Sequence, residues 1–115
     1  MNDPVGQFVA GLASLAAAPD RRAGLITYRV EPVDGRYVGD SIETAVEVAE
    51  LANWPIAPPH WIHLPTAIAF ARTNSQPSPI PSWTRHSRQI AEWGTDPNSA
   101  QAWLAHVRGV IGEAQ

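Results

Sequence analysis

His60 and His63 stand three positions apart in the run Pro58-Pro59-His60-Trp61-Ile62-His63. Imidazoles bind metal ions and move protons near neutral pH. Sharing one ion needs both rings on one side of the chain. In a strand, positions i and i+3 point to opposite faces, so this spacing predicts no common metal site. No metal and no cofactor is expected. His86, within Trp83-Thr84-Arg85-His86-Ser87-Arg88, is expected to cap or pack a helix or else to act as a base. His106 is expected on the surface of the last helix. Cysteine is absent, which excludes disulfides, thiolate metal sites and a cysteine nucleophile. No Gly-rich phosphate loop, paired acidic site or Ser-His-Asp motif is visible.

The elements that must position these residues follow from composition and pattern. The chain has 115 residues, 44% hydrophobic and 17% charged, which predicts one globular domain over 1–115. A net charge of -3, with no basic cluster beyond Arg21-Arg22 or the spaced Arg85, Arg88 and Arg108, argues against nucleic-acid binding. No apolar run reaches the roughly 20 residues of a membrane span. The N-terminus lacks the basic and apolar regions of a signal peptide, so a cytoplasmic protein is expected.

Residues 3–18 predict an amphipathic helix, with Asp3 as N-cap, Pro4 at the first position and Phe8, Leu12, Leu15 and Ala16 on one face. Leu25 to Glu31 alternates as a half-buried strand. Arg36 to Val38 predicts the start of a second strand. Thr44 to Leu51 predicts a third, although its Ala and Glu content also allows a helix. Trp61 to Leu64 predicts a fourth. Seven of the eleven prolines lie between Asn53 and Ser82, which excludes a continuous helix or a central strand there. Trp54 and Ile56 should point together into the core, and 72–81 should be a surface loop. A short helix over 82–93 and a last helix opened by Asp96-Pro97 complete the chain. The last carries Trp103, Leu104, Val107, Val110 and Ile111 as one stripe. The expected fold is α+β: an N-terminal helix, a four-stranded antiparallel meander, and C-terminal helices on one face.

The segment Trp54-Pro55-Ile56-Ala57-Pro58-Pro59-His60-Trp61-Ile62-His63-Leu64 resembles the Tyr-Pro-Phe-x-Pro-Pro-x-hydrophobic signature of E2 ubiquitin-conjugating domains. In that family the signature follows an N-terminal helix and three strands and leads into the fourth. Trp54, Pro55, Pro58 and Pro59 carry this structural motif. Trp83-Thr84-Arg85-His86-Ser87-Arg88 followed by Trp93 is similar to a pattern of the bacterial group called prokaryotic E2 family E. Those domains accompany E1-like enzymes and ubiquitin-like modifiers in small operons, for which antiphage defence is one possible role. The resemblance covers the order of elements over residues 1–113, and identifiable residues in those two stretches.

The departures from the family pattern bear on chemistry. E2 enzymes follow this strand with His-Pro-Asn and then a cysteine. Here Leu64 is followed by Pro65-Thr66-Ala67-Ile68-Ala69-Phe70-Ala71-Arg72-Thr73-Asn74-Ser75, with neither. Thioester chemistry is thereby excluded. Ser75, Ser78 and Ser82 lie near where the cysteine would be sought, and one of them would carry a modifier as an oxyester if activated. The available bases are His86, His63 and His60. The alternative is that these serines form turns. The resemblance thus implies a noncatalytic E2-like scaffold that joins an E1-like enzyme, an active E2 or a ubiquitin-like protein in a hetero-oligomer. A serine-based E2 and an unrelated interaction module are the other readings. The expected partner surface is Trp83, Arg85 and Arg88, with the Phe8 and Leu12 face of the first helix as second choice. Lysine is also absent, which fits codon bias or the avoidance of stray acceptor amines.

Overall fold

The computed structural model describes residues 3–71, 74–90, 92–94 and 98–115. The elements in chain order are α1 (Pro4–Ser14), β1 (Asp20–Arg22), β2 (Leu25–Val30), β3 (Ile42–Glu47), a 3₁₀ turn (Val48–Leu51), β4 (Trp61–Pro65), β5 (Ser75–Pro77), β6 (Trp83–Ser87) and α2 (Ser99–Gly112). The six strands form one antiparallel sheet in the order β1-β2-β3-β4-β6-β5. This is an α+β fold, but with six strands among the described residues where the sequence pattern predicted four.

The cap of α1 is as expected. Asp3 Oδ1 accepts from the Gly6 N–H at 3.1 Å, and Pro4 takes a first-turn position where its missing N–H costs nothing. The helix stops earlier than its apolar pattern. Ala16 adopts a positive φ of 59°, and the Ala17 N–H turns back to the Leu12 carbonyl at 3.0 Å. Ala17 is therefore buried, while Leu15 and Ala16 are exposed. Ala18 repeats the left-handed conformation at φ 51°. Each such residue without glycine's freedom costs about 1 kcal/mol, so neighbouring contacts must enforce the turn.

Four expected elements differ. The strand expected over Thr44 to Leu51 starts earlier and ends at Glu47, and Val48–Leu51 is a 3₁₀ turn. Arg36 to Val38 is a turn, not a strand, closed by the bond from the Gly39 N–H to the Pro32 carbonyl at 3.2 Å. Gly35 is essential to it: its φ is +81°, and a Cβ there would collide with the Gly112 carbonyl oxygen. The 72–81 stretch contributes β5 as an edge strand, because Ser75–Pro77 finds a partner in β6. Within the expected helix over 82–93, Trp83–Ser87 is instead β6. Its period is two: Trp83, Arg85 and Ser87 on one face, Thr84 and His86 on the other. Register with β4, pairing His63 with Arg85 and Ile62 with His86, overrides any helical preference. The Asp96-Pro97 cap lies outside the described residues. Asn98 precedes α2.

The core lies between the sheet and the two helices. Phe8 and Leu12 of α1 and Trp103, Leu104, Val107, Val110 and Ile111 of α2 close over Ile26, Tyr28, Val46, Ile62 and Leu64. Trp103 Nε1 donates to the Tyr28 hydroxyl at 2.8 Å, so the largest buried ring leaves no orphan donor. Both faces of β2 are buried except at Arg29, more than half-burial predicts. The reason is a second, smaller cluster of Leu25, Ala45 and Ile80 with Trp83 on the opposite face.

The Trp54–Pro59 crossing packs as an aromatic pin. Trp54 is buried, 4.9 Å from the Phe8 ring and 5.5 Å from Trp93, whose Nε1 donates to the Pro55 carbonyl at 2.8 Å. The Trp54–Pro55 bond is cis. Ile56 does not join Trp54 inside. The Ala57 N–H bonds to the Asn53 carbonyl at 2.9 Å, reversing the chain and leaving Ile56 at the apex, 76% exposed.

Candidate functional site

Chemistry-bearing side chains converge on the sheet face away from the helices. Cross-strand register sets this: Ala45 pairs with His63, His63 with Arg85, and Arg85 with Gln76. Paired residues share a face, so Glu47, Trp61, His63, Arg85 and Gln76 gather there. The turn after β5 brings Ser78 over them.

Ser78 Oγ and His63 Nδ1 are hydrogen-bonded at 2.8 Å. Ser78 Oγ also accepts from the Ile80 N–H at 3.2 Å. The other ring nitrogen, His63 Nε2, stands 3.4 Å from Glu47 Oε1 without forming a directed hydrogen bond. Glu47 Oε1 instead takes the Arg85 guanidinium at 3.0 Å. Arg85 also donates to Gln76 Oε1 and lies 4.5 Å from the Trp61 ring centroid. A short way off, His60 Nε2 is bonded to Ser87 Oγ, and the Glu50 carboxylate accepts the His60 and Trp61 backbone N–H groups at 3.0 and 3.2 Å.

The electrostatics of this cluster are those of a closed polar core. His63 is fully buried. Burial lowers its pKa to about 4; Glu47 opposes the shift, and Arg85 and His86 add to it. The ring is neutral at pH 7 and a weak base. Ser78–His63–Glu47 thus has the residue types of a nucleophilic triad. Arg85, however, occupies the carboxylate that would stabilise an imidazolium.

The sequence-predicted residues are distributed as follows. Of the candidate serines, Ser78 meets a histidine and Ser75 does not. Ser75 pairs with His86 across the strands but lies exposed on the edge, and both His86 ring nitrogens lack a hydrogen-bond partner among the described residues. His86 caps no helix. It is buried in β6 with its ring 4.8 Å from Phe70, its pKa lowered by burial and by Arg88. His106 is half-buried rather than exposed, and burial lowers its pKa also.

The expected partner patch divides. Trp83 is half-buried against the small cluster, with Arg22 5.9 Å over its ring, and Arg85 is held by Glu47 and Gln76. Arg88 lies beyond the strand, 5.0 Å over Phe70, on the His86 side. Phe8 and Leu12 are a correction. Both are 0% exposed, because the apolar face of α1 is consumed by the core and has nothing left for a partner.

Glu47 and Gln76 were not singled out by sequence reasoning. The alternation of Thr44 to Leu51 does put Glu47 opposite Val46, on the non-core face, but its partners come from β4 and β6. Among the described residues no group of three or more His, Cys, Asp or Glu could hold a metal ion. No described helix is long and apolar enough to cross a membrane. Comparison with protein-family models, with curated proteins and with solved structures finds no match.

Proposed function

We propose that this chain is a noncatalytic E2-like protein that works by association in a bacterial ubiquitin-like conjugation pathway. Its partners are an E1-like enzyme, an active E2 or the modifier itself. The observation that carries this reading is the position of the Trp54–Pro59 crossing. It follows one helix, three strands and the 3₁₀ turn and leads into β4, the position its resemblance to E2 domains calls for. The packing of Trp54 beside Phe8 and Trp93 gives the motif a structural reason to persist without catalysis. Cysteine and His-Pro-Asn are both missing, so two parts of the E2 apparatus are gone while the scaffold motif stands.

A second reading is a serine-based carrier, favoured by the Ser78–His63 bond. It selects Ser78 over Ser75. Against it stand the weak basicity of His63 and the pairing of Glu47 with Arg85.

Coexpression with an E1-like enzyme, an E2 and a ubiquitin-like protein from one bacterial operon, followed by ATP addition, tests both. Stoichiometric copurification without an adduct is the expected result. A hydroxylamine-sensitive, thiol-resistant adduct lost in Ser78→Ala replaces the first reading with the second. Neither complex nor adduct rejects both.

A further inference from the structure

If the chain works by association, as proposed above, its partner must meet side chains not already committed. Trp83 and Arg85 are spent on intramolecular contacts, and Phe8 and Leu12 are buried. The uncommitted groups lie elsewhere, around a groove of about 510 Å³ between the end of α1, the end of β2 and α2. We propose that this groove binds an acidic, aliphatic peptide segment of a partner protein.

Three observations carry the proposal. The first is apolar exposure. Leu15 and Val33 line the groove at 42% and 77% exposure, and they are two of the four large hydrophobic side chains left exposed among the described residues. Leu104 and the alanines at 16–18 extend the same wall.

The second is charge. Arg29 and Arg108 line the groove against one carboxylate, Glu31, which makes it locally positive on a chain of net charge -3. Arg108 is half-buried on α2 and forms no ion pair among the described residues. Arg29 is preset: its Nε donates to Ser41 Oγ at 2.8 Å and its Nη2 to the Ser41 carbonyl at 3.0 Å. A guanidinium has five N–H donors, so the remainder are free to meet a carboxylate.

The third is the backbone wall. Ala16 and Ala18 hold left-handed φ values of 59° and 51° where glycine is the usual choice. The Ala17 carbonyl, between them, accepts the Arg29 N–H at 2.8 Å, tying this strained turn to β2. Strain of this kind persists where surroundings over-determine it, and it gathers at binding sites.

The occupant follows from these features. Two cations ask for a carboxylate. Leu15 and Val33 stand on the rim, not in an enclosed chamber, which suits short aliphatic side chains laid across the groove. An acidic residue between aliphatic ones, as in a peptide segment, satisfies both.

The test uses the full chain, ¹⁵N-labelled, titrated with the capped peptide acetyl-Leu-Asp-Leu-Glu-Leu-amide and with its Asn/Gln counterpart. Saturable amide shifts confined to residues 15–18, 29–33 and 104–108, with the acidic peptide preferred, are expected. Arg108→Gln should weaken the acidic peptide about tenfold and abolish the preference. Val33→Asp should weaken both peptides, while Ile56→Ser, outside the groove, changes nothing. Circular dichroism checks that each variant is folded. Absent or unsaturable shifts, equal binding of the two peptides, or insensitivity to both groove variants overturns the proposal. A pathway complex that forms and survives Arg108→Gln and Val33→Asp sinks the groove but leaves the E2-like reading standing. Peptide binding without any pathway complex does the reverse.

Discussion

The two faces of the sheet solve burial in different ways. The face under α1 and α2 is filled by volume. Ile26, Tyr28, Val46, Ile62 and Leu64 meet Phe8, Leu12 and Trp103, and its polar atoms are few: the Tyr28–Trp103 bond pairs two of them, while the His86 ring nitrogens find no hydrogen-bond partner among the described residues. The opposite face has only a small apolar patch around Leu25, Ala45 and Ile80. Beside it, Glu47, His63, Ser78, Gln76 and Arg85 are linked through the Ser78–His63, Arg85–Glu47 and Arg85–Gln76 bonds, while His63 Nε2 and Arg85 Nε find no hydrogen-bond partner among the described residues. Most residue types that do chemistry, His86 apart, are gathered on the second face, but they are occupied with holding the turn after β5 against β4. Reactive type and free availability are separate properties of a residue, and here they separate across a single sheet.

The largest effect expected from this contrast is on the helix side. Trp103→Ala should cost ~3–5 kcal/mol in denaturant unfolding, because it opens a cavity and leaves the Tyr28 hydroxyl with Thr44 as its remaining side-chain partner. An equal loss for Ser78→Ala would erase the distinction between the faces. Next comes acid sensitivity from the polar side. The folded-state pKa of His63, about 4, lies below the ordinary 6.5. Between these values the unfolded chain binds a proton that the folded chain refuses, so stability falls as pH drops from about 6.5 toward 4. The full effect is on the order of 3 kcal/mol. His86 and His106, whose pKa values burial also lowers, act in the same direction, so His63→Gln should make the pH dependence of stability in that window shallower without removing it. The smallest effect is the Glu47–Arg85 pair. With side chains 24% and 26% exposed, a double-mutant cycle with Glu47→Gln and Arg85→Gln should return about 1 kcal/mol, reduced at high salt.

What was legible in the sequence was local. Asp3 and Pro4 announce the start of α1, and the stripe from Trp103 to Ile111 lies inward on α2 as its period demands. Alternation found β2 and β4 within a residue of their ends. What escaped depends on partners distant in the chain. Residues 83–87 become a strand because β4 offers them register, and Ser75–Pro77 because β6 then does. Leu15 follows the helical period of Phe8 and Leu12, yet the left-handed Ala16 takes it out of the helix. The site shows the same limit. His63 and the candidate serines could be named from sequence, but the choice of Ser78 over Ser75, and the presence of Glu47, needed strand order.

The outermost strands of this sheet have a bearing on how copies of the chain behave toward one another. β1 is three exposed residues, Asp20–Arg22, and β5 is three exposed residues ending in Pro77. Unpaired strand edges are templates for further strands, and short, charged or proline-bearing edges are poor ones. The sheet thus ends on both sides in segments ill-suited to recruit a neighbour, one guarded by charge and one by a residue with no N–H to give. Concentrated preparations should resist the edge-to-edge stacking that begins fibrous aggregation, and Pro77 is the residue whose replacement would first expose the chain to it.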